Sequence, residues 1–438
     1  MDKLVFRSEV SPVRANKTIG PVRSHLYGFV IARKMKLEGH HVTYIMKCDD
    51  SDLKKHRKED FCDVYKFLCS LGIEADIHPY NAEDVLGCSL FQSERATIYD
   101  RYINFLLSSG LAFSDADSGF AVLDIGRFVA KYSPKIEVED LLLGKFALNV
   151  EEVLIAGQRT IPLRRSDGTY LFNFASVVDD GEFVATHIVR GQDKIHVILE
   201  QEIIRKSLGF PSLVYIHLPL LCDEVGKRTG GYMEFDDFLR AGIVREAIIS
   251  YILSSGYGDP DHVFLSLGEF IANFSIADIH KKNTRFCAGR LEDVNRRILR
   301  MLSSVQYVQS IRLYACMACP KIVEEIQNQD TQQFLAEFRM SPEKSVELLD
   351  RIFFPKEILP DVSLIGNIRQ MAEMLKSDVE FNVLCNEFSH LSKDIFSRSL
   401  RWVLTRETGG IELRKIFDLL RKRRILERRA KDSLKLIQ

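Results

Sequence analysis

Three stretches of this chain carry residue types that could do chemistry at their spacing. Thr18-Ile19-Gly20-Pro21 stands where an apolar-periodic run begins. A helix start offers free backbone N–H groups and the positive end of the helix dipole, a place suited to phosphate. Asp49-Asp50-Ser51-Asp52 follows directly on an apolar run, so carboxylates stand at a strand end, where ligand crevices open in doubly wound sheets. Gly226-Lys227-Arg228-Thr229-Gly230-Gly231 is a glycine-flanked basic loop that could grip an anion. Taken singly, each pattern also fits an ordinary turn or a solvated surface. The common nucleotide signatures fail. Leu221 occupies the first glycine position of a GxxxxGK[ST] loop, no GxGxxG follows a strand, and no GxSxG elbow is present.

These residues need elements to hold them. Leu4 to Val10 reads as a strand and Ser11 to Gly20 as a loop. Pro21 reads as the N1 residue of a helix with Leu26, Phe29, Val30 and Met35 on one side and Gly39 closing it. Val42 to Met46 is the next strand, completing a βαβ nucleotide-fold pattern. Phe61, Val64, Phe67, Leu68 and Leu71 mark another helix, and Glu94 to Ser109 a further one, ended by Gly110. Leu111 to Leu163 mixes short strands and turns in the manner of an insertion. The α/β pattern resumes over Phe172 to Val178 and Phe183 to Val189, followed by a helix from Asp193 to Leu208 and a buried strand from Leu213 to Leu218. From about Met233 onward helical periodicity dominates.

Composition bounds the class. The chain has 438 residues, 46% hydrophobic and 28% charged, with 12 Pro and 25 Gly, which excludes disordered and collagen-like proteins and suggests about three domains. Lys plus Arg (60) nearly cancels Asp plus Glu (61), so a uniformly basic coat is absent. The charge is uneven, however. Arg398 to Gln438 holds 13 Lys/Arg against 5 Asp/Glu, which leaves a negative remainder. That basic tail reads either as a solvated helix face or as a surface for nucleic-acid phosphates. Nine scattered cysteines fit a reducing, cytoplasmic compartment. The one CxxC, Cys316 and Cys319, lacks the second pair that a structural zinc site needs. The first ten residues lack the apolar core of a signal peptide, and no apolar run approaches the ~20 residues of a membrane span, so no membrane partner is expected.

Seven segments, three of them overlapping the stretches above, occur in a telling order. They are Arg7-Ser8-Glu9-Val10-Ser11-Pro12; Thr18-Ile19-Gly20-Pro21 with Arg23; Tyr44-Ile45-Met46-Lys47-Cys48-Asp49-Asp50-Ser51-Asp52; Phe91-Gln92-Ser93-Glu94-Arg95 with Tyr99; Phe172-Asn173-Phe174-Ala175-Ser176-Val177-Val178-Asp179-Asp180; Thr186-His187-Ile188-Val189-Arg190-Gly191-Gln192-Asp193; and His217-Leu218-Pro219-Leu220 before Glu224-Val225-Gly226-Lys227-Arg228. Together they resemble the bacterial-type glutamyl-tRNA synthetases of class I, with their R-x-A-P-S-P opening, HIGH-type signature, QSER segment and KMSKS-type loop. Leu265 to Asn295 resembles that family's stem-contact helices. Asp394 to Leu413, with Leu404-Thr405-Arg406-Glu407-Thr408-Gly409-Gly410, resembles its last anticodon-binding helices.

The resemblance implies an α/β Rossmann-type class I catalytic domain with a short insertion, followed by an all-α C-terminal half. The expected division is residues 1–110 and 164–232 for a split catalytic domain, 111–163 for a reduced acceptor-end insertion, 233–310 for stem-contact helices and 311–438 for an anticodon-binding domain. It implies a glutamate–tRNA ligase, a monomer, using ATP with Mg²⁺ and acting on L-glutamate and tRNA(Glu). The residues matching the family's glutamate pocket are Arg7 and Arg190 for the two carboxylates, Asp49 for the ammonium, and Ser11 and Phe172 beside them. Thr18, Gly20 and Lys227 match its ATP site, and Thr18, Lys227 and Arg228 its catalytic signatures. No zinc is expected, because Ser114 is followed by no cysteine until Cys222.

Departures from the family pattern gather at the site. Thr18 replaces the first signature His, Pro21 takes the fourth position, and Glu224 and Gly226 alter the KMSKS-type loop. Glu9 replaces a small Ala, Phe172 a Tyr and Ser176 an Asn. The competing reading is a paralogue that binds tRNA or adenylates another amino acid without charging glutamate.

Overall fold

The amino-terminal run of apolar residues becomes the middle of a sheet. Val5, Phe6 and Val10 are buried in strand β1 (Lys3–Val10), which pairs in parallel with β2 (His41–Cys48) from Lys3↔His41 to Val10↔Cys48. Helix α1 (Ile19–Leu37) is the crossover between them. It begins two residues earlier than expected: Thr18 is its N-cap, so Pro21 is the third helical residue rather than the first. The first turn has no intrahelical acceptors for its N–H groups, so a proline is tolerated there as well. The helix stops at Gly39, whose φ of +95° only glycine adopts without strain. This computed structural model describes residues 3–51, 58–115, 117–223, 234–259 and 261–437.

Three short strands, β3 (Ala112–Ser114), β4 (Ala121–Asp124) and β7 (Thr160–Arg164), form a small antiparallel sheet in the order β3-β4-β7. Between them in sequence, β5 (Lys135–Asp140) and β6 (Gly144–Asn149) instead extend the main sheet. With β8 (His187–Gly191) and β9 (Val214–Leu218), its order is β2-β1-β8-β9-β5-β6. All neighbours are parallel except the β5–β6 hairpin. The segment read as an insertion therefore supplies two strands to the central sheet. Strict alternation in β5 buries Ile136, Val138 and Asp140, which places a carboxylate on the inner face.

Helices cover that sheet. Helix α2 (Lys58–Ser70) follows β2, and α3 (Ala96–Ser108) begins two residues after the expected Glu94, which lies in a 3₁₀ turn. Phe172–Glu182 is a helix, α4, and the expected helix from Asp193 is a 3₁₀ segment (Gln192–Val197) running into α5 (Ile198–Ser207). One hydrophobic cluster ties α3, α4 and α5 to the small sheet: Tyr99, Ile103, Phe128, Phe174, Val178 and Ile204 are all essentially fully buried.

By its contacts the chain separates into two units, Met1–Asp237 with Glu246–Val294, and Phe238–Arg245 with Asn295–Gln438. The expected segments 111–163 and 233–310 are not set apart by this division. The second unit is helical. Its helices open on sequence-readable caps: Ser303 with Gln306 forms a capping box, Ser341 precedes Pro342, and Ser392 accepts from the Ile395 N–H. Trp402 is fully buried at its core. Among the described residues no helix is long and apolar enough to cross a membrane.

Candidate active site

A cavity of about 600 Å³ opens at the carboxyl ends of the parallel strands, beside the start of α1. Its lining gathers most of the residues singled out from sequence: Arg7, Ser11, Thr18, Gly20, Asp49, Phe172 and Arg190. Lys227 and Arg228 lie outside the described residues, so the basic loop is not placed.

Arg7 and Glu9 are two residues apart on β1 and project from one face of the sheet. Helix α4 meets that face with Ser176, Asp179 and Asp180, which share one side of the helix at i, i+3 and i+4. Arg7 donates through Nε and Nη2 to the two oxygens of Asp180 at 2.6 and 2.7 Å, and through Nη1 to Glu9 at 2.7 Å. Burial opposes the Arg7 charge, but Asp180 and Glu9 more than compensate and raise its pKa. Lys47, the register partner of Glu9 on β2, is fully buried and lies 3.4 Å from Glu9 and 3.1 Å from Asp179.

Asp179 also accepts from Gln92 Nε2 at 2.8 Å, Arg95 Nε at 2.7 Å and the Tyr99 hydroxyl at 3.0 Å. Burial would push its pKa up; Lys47 and Arg95 hold it below the usual carboxylate value. Three cations thus face three carboxylates in a buried network. The segment Gln92-Ser93-Glu94-Arg95 is scaffold beneath the cavity rather than part of its wall. Ser93 ties Asp50 through N–H and Oγ at 2.9 and 2.5 Å.

Arg190, at the end of β8, is held differently. Its Nε donates to His217 Nε2 at 3.0 Å and its Nη1 to Gln201 Oε1 at 2.8 Å. Its Nη2 is buried without a hydrogen-bond partner, and the guanidinium lies 5.2 Å from the Tyr215 ring centre. His217 Nδ1 lies 2.7 Å from Asp140, and both side chains are fully buried. An ionised Asp140 accepts from Nδ1–H, which leaves Nε2 as the acceptor for Arg190. Burial lowers the His217 pKa and Asp140 opposes this, the balance keeping the ring neutral at pH 7. At Gly191 a Cβ would lie 2.4 Å from Asp193 Oδ1, so a larger residue there would require that side chain to move.

Asp49 accepts from Ser11 Oγ at 3.2 Å and Ser51 Oγ at 3.0 Å, so Ser11 and Asp49 stand together. Phe172 opens α4, with Lys194 Nζ 5.4 Å from its ring. Thr18 is 3% exposed and makes no side-chain cap bond to the helix; Gly20 brings bare backbone to the wall. Sequence reasoning missed the partners: Lys47, Asp140, Asp179, Asp180, Gln201 and His217 had no role assigned, although all but Asp140 and Gln201 sat in the quoted motifs. His25 was missed as well. It lines the cavity, bonds Ser8 Oγ through Nδ1 at 2.8 Å, and burial lowers its pKa to about 4.

In the second unit the basic tail is less bare than its charge suggests. Arg421 pairs with Asp378 at 2.7 Å, Arg423 with Glu325 at 2.5 Å, Arg398 with Asp361 and Arg414 with Asp418. Arg401, within that tail, is buried in the helix Lys393–Thr405 next to Trp402 rather than exposed. Lys422 and Arg424 are exposed. All nine cysteines have free thiols, and among the described residues no group of three His, Cys, Asp or Glu side chains is placed to hold a metal ion.

The family of class I tRNA synthetases (E and Q), catalytic domain, matches residues 16–119 and 125–293. A glutamate–tRNA ligase of Prochlorococcus marinus subsp. pastoris is 25% identical over 340 residues, 68% of each chain. Glutamate–tRNA ligase 2 of Campylobacter curvus is 22% identical over 458 residues, 94% of this chain and 95% of its own. Among solved structures, the glutamate–tRNA synthetase of Elizabethkingia anophelis superposes with a TM-score of 0.70 at 17% identity, covering 99% of this chain and 100% of that one.

Proposed function

The chain belongs to the class I tRNA synthetases of the E and Q type, and from that premise we propose that it is a glutamate–tRNA ligase acting on L-glutamate, ATP and tRNA(Glu). The observation that carries this reading is Arg190: a guanidinium in the cavity wall, fixed on two sides and left with an unused donor. Planar guanidinium groups suit carboxylates. Asp49 supplies the opposite charge for the ammonium, with Ser11 beside it.

The reaction asks for positioning rather than for an enzyme nucleophile. A carboxylate oxygen of glutamate attacks the α-phosphorus of ATP and pyrophosphate leaves. The terminal hydroxyl of tRNA then attacks the acyl carbon and AMP leaves. Arg190 holds the reacting carboxylate, and the free N–H groups at the start of α1, with Gly20 offering no side chain, face the phosphates. Thr18 frames the same corner. Lys227 and Arg228 take the departing pyrophosphate, and Mg²⁺ accompanies ATP chiefly through its phosphate oxygens. The second reading, another amino acid as substrate, is favoured by one observation: Glu9 already occupies Arg7.

Charging of total tRNA with labelled glutamate by the full chain tests the proposal. It expects glutamyl-tRNA that depends on ATP and on Lys227, with Lys227→Ala losing most of the rate. Charging with a different amino acid in place of glutamate would contradict it.

A further inference from the structure

Glu9 is a charged residue of the cavity that the proposed reaction leaves without a part. Its side chain is 11% exposed, and it lines the cavity. It accepts from Arg7 Nη1 at 2.7 Å and lies 3.0 Å from Ser176 Oγ through both of its oxygens, with Lys47 Nζ at 3.4 Å. Burial would raise its pKa, but Lys47 and Arg7 hold it below the usual value, so it is a carboxylate at neutral pH. Two cations and a hydroxyl around one carboxylate are the grip that a ligand carboxylate would ask for.

The charge count makes the point sharper. Arg7, Lys47 and Arg95 are balanced by Asp179, Asp180 and Glu9. Asp180 is committed to Arg7 by two bonds, and Asp179 is shared between Lys47 and Arg95. Without Glu9 the network would carry one uncompensated positive charge, on the side that opens to the cavity. In a buried setting such an excess is poorly screened and strongly favours an incoming anion.

Building on the ligase reading above, we propose that Glu9 is a specificity-determining residue that stands in for the ligand's side-chain carboxylate: it fills the anion position formed by Arg7, Lys47 and Ser176, and glutamate seats there only by displacing it. Wild-type protein is then a weak binder of glutamate, and its discrimination against a free side-chain carboxylate resides in one removable group.

Isothermal titration of L-glutamate and L-glutamine into the full chain, wild type against Glu9→Ala and the isosteric Glu9→Gln, tests this. The expected result is at least tenfold tighter glutamate binding in both variants, glutamine changing less than threefold, and a larger glutamate-induced rise in melting temperature than in wild type. A merely structural Glu9 would lower the melting temperature without favouring glutamate over glutamine. Glutamate affinity unchanged, absent or weaker in both variants overturns the proposal. Because binding is read without turnover, loss of charging in every variant would count against the ligase reading alone.

Discussion

Arg190 and His217 are register partners on neighbouring parallel strands, and Nε of the first meets Nε2 of the second at 3.0 Å. The contact fixes the guanidinium plane only because Asp140, from a third strand, fixes the imidazole from behind. A carboxylate–histidine–arginine line thus runs from the sheet's interior to the cavity.

This line can be cut at one point. In His217→Asn the side-chain amide still reaches Asp140 as a donor but no longer reaches Arg190. The Michaelis constant for the amino acid should rise about tenfold, the worth of one hydrogen bond to a charged group, with melting temperature within a few degrees of wild type. Arg190→Lys should cost 10- to 100-fold in kcat/KM, since an ammonium cannot bond His217, Gln201 and a ligand in one plane. Unchanged amino-acid kinetics in both variants would remove Arg190 from the site.

Asp179→Asn addresses the scaffold. It keeps the shape but leaves Lys47 and Arg95, 0% and 1% exposed at their side chains, short of a counter-charge. Breaking a buried network of this kind costs about 3–5 kcal/mol. Urea unfolding should show that loss, and a change below about 1 kcal/mol would mean the network is not cooperative.

The β1–α1–β2 unit was legible because local rules decide it: apolar runs, a proline-tolerant first turn and a glycine at φ +95°. The wall residues were legible because they fall in ordered motifs. Their partners were not, since Arg7 and Asp180 lie 173 residues apart and nothing local joins them. Asp140 was hidden for a different reason. It ends a six-residue strand inside what reads as an insertion, and only the pairing of β5 with β9 carries it to His217. Net charge alone could not tell which basic residues of the tail are paired: Arg421 is bonded to Asp378 in a loop and Arg423 to Glu325 on another helix.

Acid should loosen the first unit before its carboxylates titrate. His25 and His187 both have pKa values lowered by burial to about 4, against 6.5 for the free side chain. Between those values the unfolded chain binds protons that the folded one refuses, so stability falls as pH falls, by roughly 1.4 kcal/mol per pH unit for each histidine fully in that window. Thermal melts should decline from pH 6.5 to 4.5, and His25→Gln should flatten the decline. A flat profile in wild type would contradict the buried neutral histidines.

For tRNA, exposure should matter more than charge count. Lys422→Ala with Arg424→Ala should reduce the slope of log affinity against log salt, each phosphate contact being worth a little under one in slope. Arg421→Ala with Arg423→Ala should reduce it less, because both are already paired. Equal slopes in the two double variants would show that pairing does not decide the contact.

The central claim is that this cavity activates glutamate. ATP–pyrophosphate exchange by the full-length wild-type protein with Mg²⁺, measured with and without total tRNA over a wide range of glutamate, tests it most directly. The account expects exchange that saturates only at high glutamate and is abolished in Arg190→Gln. No glutamate-dependent exchange at any tRNA concentration, from a protein that exchanges with another amino acid, would contradict it.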